Sequence, residues 1–205
     1  MESVCLEVSI KNDPVEVFRS NGGQLRMTEA LDRGISRFML YKMRDTGVVE
    51  QVSRGVFRLF DLPLIGNPDL VTVSLRFPNA VICLVSALSY HEITTQIPHA
   101  VSIAVSRDSR VPRLKFPPIS PHRFSKLAFE AGIEVHRIDG ADVKIYSIEK
   151  TIADCFKFRN KIGMDVVLEA LKLYRHKKLN RSELQKFARI CRVENVMRPY
   201  LEASI

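Results

Sequence analysis

Val4, Leu6, Val8 and Ile10 take alternate places near the start of the chain, a period of two that predicts a strand. The period then lengthens. Asp13 followed by Pro14 is a cap and a first-turn proline, and it opens a helix through Val15, Val17 and Phe18 that Gly22-Gly23 closes. Thr28 is expected to cap a second short helix with Ala30 and Leu31, ended by Gly34. Ser36 caps a third, stopped by Gly47. Two β-prone runs, VVEQV and VFRLF, follow on either side of Ser53-Arg54-Gly55, whose glycine suits a tight hairpin. Helix, helix, turn, helix and hairpin is the order of a winged helix-turn-helix.

At ~100° per residue, the third helix gathers Met39, Leu40 and Met43 into one arc that can face a core. Arg37, Phe38, Tyr41, Lys42 and Arg44 point the other way. Two aromatic rings among bases are unusual for a merely solvated face when the opposite side already supplies the buried stripe. In a helix-turn-helix this helix enters the major groove with its N-terminal residues at base edges. Ser36, Arg37, Phe38, Tyr41, Lys42 and Arg44 are therefore the candidate DNA contacts, with Arg54 at the hairpin tip reaching the backbone or minor groove. Winged helices also dock proteins, and exposed aromatics suit that role too, so a docking adaptor stays open.

Prolines and Gly66 punctuate DLPLIGNP, Asp61 to Pro68, which marks a boundary. The domains expected are 1–62, a winged helix-turn-helix, and 69–205, a second domain with a helical C-terminus. In the second, one helix is expected over Leu70 to Arg76 and another from Ala80 to His91. A strand is expected in AVSIAV, a basic loop in RVPRLKFPPISPHR, and short strands in EVHRI and VKIYS. From Ser147 the pattern is helical, and Asn180 with Glu183 forms a capping box. The fold class is α+β: an N-terminal winged helix followed by a mixed α/β domain with a small sheet and a helical end.

Charge changes this picture by its placement. The net charge is +8, yet nine Lys/Arg balance nine Asp/Glu through Leu62, so the whole excess lies downstream. Arg107 to Lys126 carries six basic residues against one acid, and Lys150 to Arg198 thirteen against five. These basic stretches suit either an extended DNA footprint or an acidic protein partner. No apolar run approaches the ~20 residues of a membrane span, and the first residues lack the regions of a signal peptide, so a cytoplasmic protein is expected. Cys5, Cys83, Cys155 and Cys191 stand far apart in apolar surroundings, which predicts reduced, mostly buried thiols.

The candidate chemistry thins out on inspection. His91 and Glu92 are adjacent on an expected helix and diverge, which favours a hydrogen-bonded structural histidine. Asp139, Asp142, Glu149 and Lys150 invite comparison with metal-dependent nucleases, but Glu149 and Lys150 also diverge. Lys150 and Asp154, four apart, read either as an ordinary helical ion pair or as part of a domain or partner contact. No phosphate loop, metal-ligand spacing or nucleophile elbow occurs in the sequence. No catalytic residue, cofactor or small-molecule substrate is expected.

Laid out whole, the chain resembles the antitoxin and transcriptional-regulator component of AbiE-type abortive-infection systems, a type IV toxin–antitoxin family. The resemblance runs from about Pro14 and rests on GGQLRMTEALDRGISRFMLYKMRDTGVVEQVSRGVFRL, notably the G-I-S-R turn and the S-R-G-V-F-R wing. Further on it rests on ICLVSALSYHEITTQIPHAVSIAV, EKTIADCFKFRNKIG and ARICRVENVMRPYLEA. It implies an autorepressor whose winged helix binds inverted repeats in its own promoter and which counteracts a nucleotidyltransferase-like toxin, directly or indirectly. The recognition positions it implies are Ser36, Arg37, Tyr41, Lys42 and Arg54. Lys150, Asp154, Lys177, Lys178 and Arg181 are the candidates for toxin or second-domain contact.

Overall fold

The computed structural model describes residues 13–61, 67–177 and 180–202, and the chain divides into two compact units, Met1–Gly66 and Asn67–Ile205. The strand expected at Val4 to Ile10 lies outside the described residues, as does much of the boundary segment.

In the first unit, Asp13 accepts a hydrogen bond from the Val15 backbone amide (3.0 Å) and Pro14 takes the first helical place, so α1 runs Pro14–Ser20. A strand that the sequence pattern does not predict, β1 (Gln24–Arg26), comes next. It leads into α2 (Met27–Asp32), whose cap is Arg26 rather than the expected Thr28: the Glu29 carboxylate turns back to accept from the Arg26 amide at 2.8 Å. Gly34 leaves α2 with φ 86°, a left-handed conformation costly for a residue bearing Cβ, and this lets the chain turn within four residues into α3 (Arg37–Asp45). The hairpin is β2 (Val49–Ser53) and β3 (Val56–Leu59), and the antiparallel sheet has the order β1-β3-β2. Val17, Phe18, Ala30, Leu40, Phe57 and Leu59 are among the buried side chains that hold the three helices on this sheet.

The second unit begins with α4 (Pro68–Arg76), again with proline in its first turn. Ala80 to Cys83, expected to start a helix, instead supplies β4 (Val81–Ile82), and the helix α5 is Leu84–Tyr90. The continuous apolar run is that of a central strand buried on both faces. Then come β5 (Val101–Ser106), β6 (Ile119–Phe124), α6 (Lys126–Glu130), β7 (Ile133–Ile138) and β8 (Ala141–Tyr146). The last part of the expected basic loop is therefore strand β6. Their five-stranded sheet has the order β6-β5-β4-β8-β7, with β5 parallel to β6, β4 parallel to β8 and the other two pairings antiparallel.

The chain continues as helices: α7 (Ile148–Lys157), α8 (Arg159–Ile162), α9 (Met164–His176), α10 (Arg181–Ile190) and α11 (Glu194–Glu202). Ser147 caps α7, and Asn180 caps α10 by accepting from the Glu183 amide, but the expected box does not close: the Asn180 amide donates to the Tyr174 hydroxyl at 2.8 Å, and the Glu183 carboxylate accepts from Lys186. Lys150 through Phe156 are all buried, so α7 is a core helix wrapped on every side rather than an amphipathic surface one. Helices α5, α9 and α10 pack around it. This is a mixed α+β chain with small sheets and C-terminal helices. Among the described residues no helix is long and apolar enough to cross a membrane.

Candidate nucleic-acid interface

Helix α3 is anchored by chemistry local to its sequence. The Ser36 hydroxyl accepts from the Met39 amide at 3.2 Å and fixes the first turn, while Leu40 and Met43 are buried in the core of the unit. That placement forces Arg37, Phe38, Tyr41, Lys42 and Arg44 outward, and all five are exposed, Phe38 at 76%. Leaving a phenylalanine so open forgoes ~1.5–3 kcal/mol of burial, a cost with no return inside the unit.

The exposed residues are not equally free. Tyr41 is braced edge-on against Phe57 of β3 at 6.2 Å between ring centroids, and the Arg44 guanidinium lies over the Tyr41 ring at 4.9 Å while bonding Asp45 at 2.7 Å. Arg44 is thus partly committed to the protein's own surface. Arg37 and Lys42 form no ion pair among the described residues and can reach outward. Arg54 is exposed at the hairpin tip, where Gly55 takes φ 77° and its carbonyl accepts from the Met27 amide at 2.8 Å, tying the tip to the start of α2. Arg58, by contrast, is buried and bonded to Glu50 at 3.0 Å. It supports the hairpin from within.

The candidates in the second unit fare differently. Lys150 and Asp154 are 0% and 1% exposed and pair with each other, so neither is placed to meet a partner; the surface-contact reading is corrected, because i, i+4 spacing fixes a shared helix face but not whether it is wet. Cys191 Sγ donates to the other Asp154 oxygen at 3.2 Å, and the Lys150 ammonium sits 4.1 Å from the centre of the Tyr146 ring. Desolvation pushes the Asp154 carboxyl up to about 6, with Lys150 opposing that rise. Burial likewise raises the thiols of Cys83, Cys155 and Cys191.

Lys177 Nζ is exposed but donates to the His91 carbonyl at 2.7 Å, with Glu92 at 3.5 Å. Arg181 is exposed at the first turn of α10, and Lys178 lies outside the described residues. His91 is structural in its bonding: Nε2 lies 2.8 Å from the Tyr146 carbonyl, and burial lowers the imidazole pKa. Glu149 accepts from the Tyr174 hydroxyl at 2.6 Å and Asp142 from Arg137 at 2.7 Å, so these acids face separate partners.

One feature escapes the sequence pattern. A cavity of about 280 Å³ in the second unit is rimmed by Arg107, Arg123, Lys157 and Arg192. Arg107 and Arg123 come from one basic stretch, Lys157 and Arg192 from the other, and nothing in the sequence says that the two meet. The local sign at Arg192 is its place at the end of α10, one past the Cys191 cap, where glycine is the common occupant.

An N-terminal three-helix and hairpin unit with an outward basic, aromatic helix, followed by a mixed α+β unit, is the class that this architecture defines. Residues 12–59 match the family model described as "Transcriptional regulator, AbiEi antitoxin". The match supports an antitoxin and regulator role and includes every candidate DNA contact. The downstream segments that carried part of the sequence resemblance fall outside it. No curated protein matches the chain. Among solved structures it is similar to the crystal structure of the RV2827C protein from Mycobacterium tuberculosis, with a TM-score of 0.55 and 12% identity over 84% of this chain and 69% of that one. At that identity the likeness concerns fold alone.

Proposed function

We propose that the protein is the antitoxin and DNA-binding autorepressor of a type IV toxin–antitoxin pair, without catalytic activity of its own, binding inverted repeats in its own promoter and counteracting a nucleotidyltransferase-like toxin. In this reading the first unit is a winged helix-turn-helix, with α2 and α3 as its helix pair and β2–β3 as its wing. The observation that carries it is the outward face of α3, where Arg37, Phe38, Tyr41 and Lys42 stand opposite buried Leu40 and Met43, inside the segment that matches the regulator family.

The division of labour follows from side-chain chemistry. Arg37, in the first turn and without an ion pair among the described residues, suits a forked contact to guanine O6 and N7. Phe38 offers an apolar edge to a thymine methyl. Lys42 and Arg54 suit phosphate, and Tyr41, held by Phe57, sets the angle at which the helix face meets the groove. The first-unit sequence is neutral overall through Leu62, so its affinity for DNA rests on these local bases rather than on a broad positive field. The competing reading, a docking adaptor that never meets DNA, draws on the 76% exposure of Phe38.

Nuclease footprinting of the full chain on the DNA upstream of its own gene separates the two. Protection of paired half-sites about one or more helical turns apart is expected. Equal affinity for that DNA and for a scrambled duplex of the same length would favour the adaptor.

For the toxin, the exposed positions Lys177 and Arg181, with Lys178, are the proposed contact surface. Reversing all three charges to Glu should impair toxin neutralisation in cells while leaving promoter repression at the wild-type level. Loss of repression with neutralisation intact would assign the basic face to DNA instead.

A further inference from the structure

The rim of the 280 Å³ cavity brings together four cationic side chains, Arg107 after β5, Arg123 on β6, Lys157 at the end of α7 and Arg192 after α10. All four are exposed, and none forms an ion pair with a carboxylate among the described residues. Arg123 Nη1 donates to the Arg107 carbonyl, which holds the Arg123 guanidinium beside its neighbour. Four like charges around one opening repel one another, and an anion seated between them relieves that repulsion. Among the described residues the one acid of the lining is Asp154, whose charge Lys150 already opposes from inside the core.

The lining includes two aromatic rings. Phe124 and Phe158 stand 5.3 Å apart between centroids at 51°, and both line the cavity. Three guanidiniums and one ammonium beside apolar rings match a ligand with a doubly charged phosphate and a flat organic body. The volume lies at the lower limit of small-molecule sites, ~300–1,000 Å³, which suits a single mononucleotide and not a strand of nucleic acid.

Arg192 adds an independent sign. It occupies φ 58° just beyond α10, and the Val193 amide closes the helix by donating to the Ala188 carbonyl at 2.8 Å. Glycine is the residue that takes this left-handed position without strain, whereas a Cβ there crowds the backbone. The chain accepts that strain and gains a guanidinium on the rim.

We propose that this cavity binds a nucleoside monophosphate, with the phosphate held by Arg107, Arg123, Lys157 and Arg192 and the base against Phe124 and Phe158. The ligand is a bound effector and undergoes no reaction. The assignment stands apart from the DNA-reading role of α3, since it uses none of the same residues.

Isothermal titration of the full chain with AMP, GMP, inorganic phosphate and adenosine, at fixed ionic strength, tests it. One equivalent of a nucleoside monophosphate should bind, phosphate should bind more weakly and compete, and adenosine should not bind. Arg192→Gly is the informative variant, because it relieves backbone strain: its unfolding temperature should equal or exceed that of the wild type while its nucleotide affinity falls about tenfold or more. Arg107→Gln should weaken binding comparably. Absence of nucleotide binding up to millimolar concentration would overturn the proposal, as would undiminished affinity in both variants. So would a loss of duplex-DNA affinity in Arg107→Gln and Arg192→Gly without any nucleotide heat, which would make the rim a backbone-phosphate contact.

Discussion

Lys150→Met should destabilise the protein by about 3–5 kcal/mol in chemical denaturation, because it leaves the Asp154 carboxylate buried without its counter-charge. The pair lies in the core of the second unit at 0% and 1% exposure, so bulk water gives the carboxylate little compensation. Replacing both partners with apolar residues, Lys150→Met with Asp154→Leu, should recover most of the loss, since the desolvation penalty of both ions goes with them. The pH dependence has a definite sign. The Asp154 carboxyl is raised to about 6 in the folded chain from an ordinary value near 3.8, so the fold holds this proton more tightly than the unfolded chain does. Its contribution is therefore most favourable below about pH 4 and is lost as pH rises through 6. The stability difference between wild type and the double variant, followed from pH 4 to 7, should shift steadily in favour of the variant. A difference independent of pH would mean that the carboxyl titrates alike in both states.

Leu40→Ala should cost about 2–5 kcal/mol, the range for deleting a buried leucine from a core that cannot fully collapse. Leu40 is fully buried beneath α3, in a unit whose small size leaves little stability in reserve. The expected result is proteolytic cleavage within residues 13–61 under conditions where the wild type is resistant, together with loss of promoter binding. Phe38→Ala is the matched contrast, because Phe38 lies two places from Leu40 along the chain and so on the opposite face of α3. Its ring is 76% exposed, so stability should change by less than ~0.5 kcal/mol while DNA affinity falls. If both variants lose stability alike, Phe38 contributes to the core and α3 does not present the face described.

Much of the first unit was legible because its signals are local. Asp13-Pro14, Ser36 and the glycines at 34, 47 and 55 each act within one turn of the chain, and the period of α3 separates Leu40 and Met43 from Arg37, Phe38 and Tyr41. Strand β1 was not legible: three residues carry no period, and Gln24 to Arg26 form a strand only because β3 offers them its edge. In the second unit β4 hid inside an apolar run that continues into α5. Strand β6 was masked by Pro121, which is tolerated because β6 is an edge strand of the sheet. Sequence spacing also could not tell that the Lys150–Asp154 pair is dry, since only the packing of α5, α9 and α10 around α7 decides it. The cavity rim depends on tertiary structure entirely, its four cations being drawn from positions 107, 123, 157 and 192.

Whether α3 reads DNA sequence is decided by the affinity of Arg37→Ala for the promoter half-site and for random duplex at one salt concentration. The expected result is a loss of about 1–3 kcal/mol on the half-site with little change on random DNA, so that the specificity ratio collapses, whereas Lys42→Ala weakens both alike. Equal losses for Arg37→Ala on the two duplexes would contradict it.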